Sequence, residues 1–208
     1  MHYIFIHGLG QNSTTWDKTT SLLSLDDTID CPDLWKILNG QDATYTNLYH
    51  SFVTYCESLP GRLHICGLSL GAIIALNYAI EFPNRIQSMV LVGAQYKVPK
   101  NLMKFQSFIF KVMPEKSFIK MGMSKKSILT LTNSMTDLDF SMNLKDVSCP
   151  TLLVCGKNDN TNIKATNDLG NSIQNAEMKI IEDAGDEINT EAPQKLADVL
   201  NSFWKREK

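Results

Sequence analysis

Gly67-Leu68-Ser69-Leu70-Gly71 is the part of this 208-residue sequence where residue types and spacing point most directly to chemistry. The pattern is G-x-S-x-G. An apolar run from Arg62 to Gly67 reads as a strand before it, and Ala72 to Glu81 reads as a helix after it. The flanking glycines let strand and helix approach closely, which forces the serine into a strained turn with its hydroxyl exposed at the sheet edge. A helix N-terminus behind the turn favours negative charge developing during attack on a carbonyl. A second segment, His7-Gly8-Leu9-Gly10, follows the short apolar strand Tyr3 to Ile6. A loop there can supply one backbone N–H of an oxyanion hole, the other being the N–H after the serine, so the donors would be Leu9 and Leu70. His7 itself reads as a hydrogen-bonded residue of that turn rather than a base.

The elements that must position these loops alternate along the chain. Further strands are expected at Asp27 to Cys31, Ile86 to Val92, Thr151 to Cys155 and Met178 to Ile181. Helices are expected at Trp16 to Leu25, Thr46 to Leu59 and Asn189 to Lys205. Continuous apolar strands between helices mark a parallel sheet covered on both faces, so the fold class is doubly wound α/β with about six strands. The segment 95–148 breaks the rhythm. It holds no convincing strand, but Leu102, Phe105, Ile109 and Val112 keep helical spacing, and Ile128, Leu129, Leu131 and Met135 suggest a second helix. It carries nine Lys against four acids, a charge of +5, while the remainder of the chain carries -7. The expected organisation is a core of 1–94 and 149–208 with a basic helical cap, 95–148, over the C-terminal edge of the sheet.

Composition excludes several classes. With 43% hydrophobic and 20% charged residues, the chain is neither disordered nor built around a polar tail. A net charge of -2 gives no global field for nucleic acid, and no apolar run is long enough to span a membrane. The five cysteines are scattered, without a C-x-x-C pair, and Cys66, Cys149 and Cys155 lie in or beside apolar strands as small hydrophobes. With no leader-like N-terminus, the chain is expected to be cytoplasmic. The four histidines are dispersed and no Cys/His cluster has ligand spacing, so neither metal nor cofactor is expected.

Taken in order, His7 to Gly10, Gly67 to Gly71, Gly156-Lys157-Asn158-Asp159 and Ala184-Gly185 through Glu191-Ala192-Pro193 resemble the α/β-hydrolase superfamily, in its small capped esterase form. The resemblance covers essentially the whole chain, apart from the first two strands usual in that family. It implies a Ser–acid–His triad with Ser69 as nucleophile and Asp159 as the acid. The last block departs from the pattern. Where the family reads Ala-Gly-His, this sequence reads Ala184-Gly185-Asp186, and Asp186 holds the base's place. A carboxylate of ordinary pKa near 3.9 is a weak base at neutral pH, and it has no second ring nitrogen for Asp159 to orient. Repulsion between Asp159 and Asp186 could leave the pair sharing a proton.

Three accounts are open. The substitution is engineered or spontaneous in an ordinary hydrolase; or a natural hydrolase or lyase uses Asp186 directly; or the protein is a non-catalytic binder that kept the pocket. In the first account the substrate is a small carboxylic ester or thioester, and the present sequence is weak or inactive toward it. Gly8, Phe105 and Phe108 are the expected substrate contacts. The cap lysines suggest an anionic end on that substrate.

Overall fold

A computed structural model describes residues 1–98, 110, 112–120 and 122–206. Its sheet has six strands: β1 (His2–Ile6), β2 (Thr28–Asp30), β3 (Leu63–Leu68), β4 (Ile86–Val92), β5 (Thr151–Gly156) and β6 (Ala176–Ile181). All neighbours pair in parallel, in the order β2-β1-β3-β4-β5-β6. The chain leaves β1 toward one side for β2 and returns to the other side for β3. Strand order therefore reverses between β1 and β3, and the crevice outside their C-terminal ends is where open α/β sheets take ligands. The loops that end these two strands are those of Gly8 and Ser69.

Alternate residues of the inner strands β1, β3, β4 and β5 feed two separate cores. Ile4, Ile6, Ile65, Met89, Leu91 and Leu153 face one, while Tyr3, Phe5, Cys66, Val90, Val92 and Val154 face the other. Because both faces are covered, the strands read as unbroken apolar runs.

The described helices are α1 (Asp17–Thr20), α2 (Leu34–Ile37), α3 (Tyr45–Glu57), α4 (Leu70–Glu81), α5 (Glu115–Lys120), α6 (Lys125–Ser134), α7 (Ile163–Ser172), α8 (Ile188–Glu191) and α9 (Pro193–Arg206). Two sequence expectations need correction. The helix expected over Trp16 to Leu25 is a 3-10 turn, Ser13–Trp16, followed by the single turn of α1. There Thr20 Oγ1 and Ser21 Oγ donate to the carbonyls of Trp16 and Lys18, the local bonding that makes these residues poor helix formers. The helix expected over Asn189 to Lys205 is two helices, because Pro193 has no N–H to continue α8 and restricts Ala192 before it.

The described part of the cap region is largely helical and packs on the core. At its base, Lys97 and Asp139 form an isolated antiparallel bridge, flanked by Val98 N–H to Leu138 O (3.0 Å) and Phe140 N–H to Tyr96 O (2.8 Å). The Lys97 ammonium lies 2.7 Å from the Asp139 carboxylate. Ile128 and Leu131 of α6 and Phe118 of α5 are buried, and Ser134 Oγ accepts from the Tyr45 N–H at the start of α3 (2.8 Å). Between α5 and α6, Gly122 has φ +75, and a Cβ there would lie 3.3 Å from Trp35 Cδ1. Trp35 in turn donates its indole N–H to Gln11 O (2.9 Å), so the cap leans on the loop that follows β1.

Candidate active site

Ser69 joins β3 to α4 at φ 51 and ψ -109. Asn39 and Asp183 are the other described non-glycine residues at positive φ, and both are types that tolerate the left-handed region. Ser69 has no such tolerance, and a conformation of this kind costs on the order of 1–3 kcal/mol. Close backbone packing enforces it. A Cβ on Gly67 would lie 2.2 Å from Gly71 O, and one on Gly71 would lie 2.2 Å from Ile6 O. Ser69 is exposed, its carbonyl accepts the first helical bonds from Ala72 and Ile73, and its N–H donates to Val92 O (2.9 Å). Among the described residues its hydroxyl makes no hydrogen bond.

The loop after β1 stands against this turn. A Cβ on Gly8 would lie 3.6 Å from Ser69 Cβ and 2.9 Å from Leu68 Cδ2. Neither the Leu9 nor the Leu70 N–H donates a hydrogen bond among the described residues. His7 is fully buried. Its Nε2 accepts from the Leu34 N–H (3.0 Å), so the ring proton sits on Nδ1 and is given to Gly8 O (2.9 Å). Burial also lowers its pKa, and both nitrogens are committed to shaping the loop.

Gly93 links the serine to the two remaining loops. It follows Val92, the acceptor of the Ser69 N–H, and its own N–H donates to Val154 O (2.9 Å). Its φ is +56, and a Cβ there would lie 3.5 Å from Asp159 Oδ2, 3.5 Å from Asn162 Nδ2 and 3.9 Å from Asp186 O. The loops of β5 and β6 are pressed together one residue earlier than Lys157, where a Cβ on Gly156 would lie 2.1 Å from Gly185 O. Thus the chain brings Ser69, Asp159 and the Asp186 backbone to neighbouring points of one rim.

The side chains behave differently. Asp159 is 4% exposed and engaged by its own turn and by Cys155 of β5. Its Oδ1 accepts from the Thr161 and Asn162 N–H groups (3.2 and 3.0 Å), and its Oδ2 from the Asn162 amide (2.7 Å) and the Cys155 thiol (Sγ at 3.8 Å). The Asp186 side chain is exposed and makes no hydrogen bond among the described residues, either to Ser69 or to Asp159. The shared proton between the two carboxylates therefore has no hydrogen bond to carry it, because the acceptor atoms of Asp159 are taken by closer donors.

Sequence reasoning missed the amides. Gln11 and Asn189 exchange two side-chain hydrogen bonds (3.2 and 3.1 Å), and Gln11 also accepts from Gly8 N–H (3.3 Å). This buried pair fastens the Gly8 loop to the segment just beyond Asp186. Partners 178 positions apart carry no local signal of their pairing. Of the expected substrate contacts, Gly8 lies at the rim, while Phe105 and Phe108 lie outside the described residues.

A hollow of about 310 Å³ adjoins the rim, lined by Gln95, Tyr96, Lys97, Thr161, Lys164, Ala165 and Asp168. A second, of about 680 Å³, lies beside Ser24, Leu25 and Asn201, and none of its lining residues belongs to the rim loops. Among the described residues no group of three His, Cys, Asp or Glu could hold a metal ion, and no helix is long and apolar enough to cross a membrane. The described cysteines are all free, and burial pushes the thiol of Cys31 up to about 12 and that of Cys155 to about 11.

Comparison with known proteins agrees with this architecture. The chain is 31% identical over 91 residues to a pimeloyl-[acyl-carrier protein] methyl ester esterase of Nitrosomonas europaea, a match covering 44% of this chain and 36% of that protein. It is 23% identical over 200 residues to a monoacylglycerol lipase of Mus musculus, covering 74% of this chain and 58% of the lipase. The chain thus spans less than two thirds of these relatives' lengths. Among solved structures, an esterase from Thermogutta terrifontis superposes with a TM-score of 0.82 at 19% identity, covering 100% of this chain and 90% of that one. An enol-lactonase from Burkholderia xenovorans gives 0.82 at 13% identity, covering 98% and 91%. A family model described as the alpha/beta hydrolase family matches residues 3–199, and the chain belongs to that family.

Proposed function

We propose that this chain is a serine hydrolase of small carboxylic esters or thioesters whose turnover is impaired because Asp186 stands where the base belongs. The observation that carries the reading is the strained, exposed Ser69 at the start of α4, whose hydroxyl, like the Leu9 and Leu70 N–H groups of the adjoining backbone, makes no hydrogen bond among the described residues. Ser69 Oγ attacks the acyl carbon, and the carbonyl oxygen becomes an oxyanion held by those two N–H groups. Collapse expels the alcohol or thiol and leaves an acyl-serine, which water then hydrolyses.

Both steps need a group that takes a proton from the attacking hydroxyl and returns it to the leaving group. An exposed carboxylate, which has no imidazole to take and return the proton, does this poorly at neutral pH. In a serine protease, loss of the histidine costs about a million-fold in turnover, and loss of the acid alone somewhat over ten-thousand-fold. By that ratio, Asp186→His should raise the rate on a short activated ester by about a hundred-fold. An unchanged rate overturns the proposal.

The saturated Asp159 favours a second reading, a binder that kept the pocket after losing the base. In that case a fluorophosphonate leaves Ser69 unlabelled even in Asp186→His. Substrate charge is a separate matter. The lysine-rich cap supports an anionic end, so kcat/KM in the repaired variant should fall as ionic strength rises, and a flat response removes that element.

A further inference from the structure

Asp159 Oδ2 and the Asp186 carbonyl oxygen both lie within 4 Å of the position a Cβ on Gly93 would take. Oδ2 already takes two donors, the Asn162 amide and, more weakly, the Cys155 thiol with Sγ at 3.8 Å. The Asn162 amide donates to it at 2.7 Å, the shortest of the three N–H contacts on this carboxylate. The orientation of that amide is settled by its other side, since Gln95 Nε2 donates to Asn162 Oδ1 at 2.8 Å and to Thr161 O at 3.2 Å. A carboxylate only accepts, so Nδ2 must be the end that faces Asp159. Asn162 is 8% exposed, and its carbonyl starts α7 by accepting from the N–H and hydroxyl of Thr166 (both 2.9 Å). Gln95, Asn162 and Asp159 therefore form a directed chain of donors that starts on the half-buried Gln95 and ends on the buried acid.

We propose that Asn162 is a positioning residue that takes the donor's place on Asp159 Oδ2 which a base ring would otherwise fill, committing the acid to its own loop and uncoupling it from position 186. This rests on the reading of position 186 as the base position. It adds that the site was altered at two points, and that a histidine alone would regain proton transfer without the orienting acid.

The test places histidine at 186 and varies Asn162, to Ala and to Ser, with thermal melts confirming that each variant is folded. The pKa of the new imidazole is followed by NMR, using the parent spectrum to exclude the other histidines. With Asn162 present it should titrate near the ordinary value of about 6.5. With Ala or Ser at 162, pairing with the freed Asp159 should raise it to about 7.5 or above. Turnover of a short activated ester should rise at least about tenfold between the single and double variants, with its acid limb moving to the new pKa. A raised pKa and equal turnover in Asp186→His alone would overturn the proposal, as would an imidazole unmoved by either change at 162. If the pKa moves as expected but no variant hydrolyses ester or takes up fluorophosphonate, the role of Asn162 stands and the esterase reading fails.

Discussion

Gly71→Ala tests whether backbone packing enforces the serine turn. The new Cβ would lie 2.2 Å from Ile6 O and 2.7 Å from Ile6 C, both atoms of a central strand that cannot yield as a side chain would. Overpacking of this kind costs about 3 kcal/mol at the upper end of its usual range, and the better helix propensity of alanine returns about 1 kcal/mol. The net loss is then about 2 kcal/mol, which for a chain of this length lowers Tm by roughly 4–8 °C. Gly170→Ala is the internal control. It also lies within a helix, α7, but its Cβ would meet only Leu153 Cδ1, at an ordinary 3.6 Å. There alanine should stabilise by about 0.5–1 kcal/mol. Both variants are compared with the parent by circular-dichroism melts. A Gly71→Ala protein melting at or above the parent, or one indistinguishable from Gly170→Ala, refutes the reasoning.

Asn189→Ala removes one half of the amide pair and leaves the buried Gln11 amide without its partner, so urea unfolding should show a loss of about 1–3 kcal/mol; an unmoved midpoint would mean the pair fastens nothing. His64 is buried, stacked 4.3 Å from the Tyr3 ring and bonded to Ser88 Oγ, and burial lowers its pKa to about 4. The unfolded chain then binds the extra proton first as pH falls, so stability is lost between about pH 6.5 and about pH 4. Replacing it with Phe should remove that part of the slope in denaturation measured across this window, and a slope unaltered by the substitution would assign it elsewhere.

How far the sequence could be read depended on where each contact lies. The inner strands β1, β3, β4 and β5 were legible because burial on both faces leaves an unbroken apolar run, and α9 because Leu196, Leu200 and Phe203 recur on one buried face. Helix α7 was not legible. Its Ile163-Lys-Ala-Thr-Asn-Asp-Leu-Gly-Asn-Ser is rich in weak helix formers and buries little beyond Ala165, Thr166 and Leu169, so tertiary packing on β5 and β6 holds it rather than propensity. The serine turn could be found because its glycines and serine are contiguous. Asn162 could not, although only three positions separate it from Asp159. An asparagine before a helix reads as a cap, and only coordinates show its amide turned onto the acid.

The most direct measurement is the rate at which a fluorophosphonate labels Ser69 in the parent and in Asp186→His, with Ser69→Ala as the blank. Slow labelling of the parent, at least about tenfold faster labelling of the same serine once the imidazole is present, and none in the blank is the expected result. Equal rates in parent and variant, or label carried by any other residue, would contradict a serine nucleophile that lacks its base.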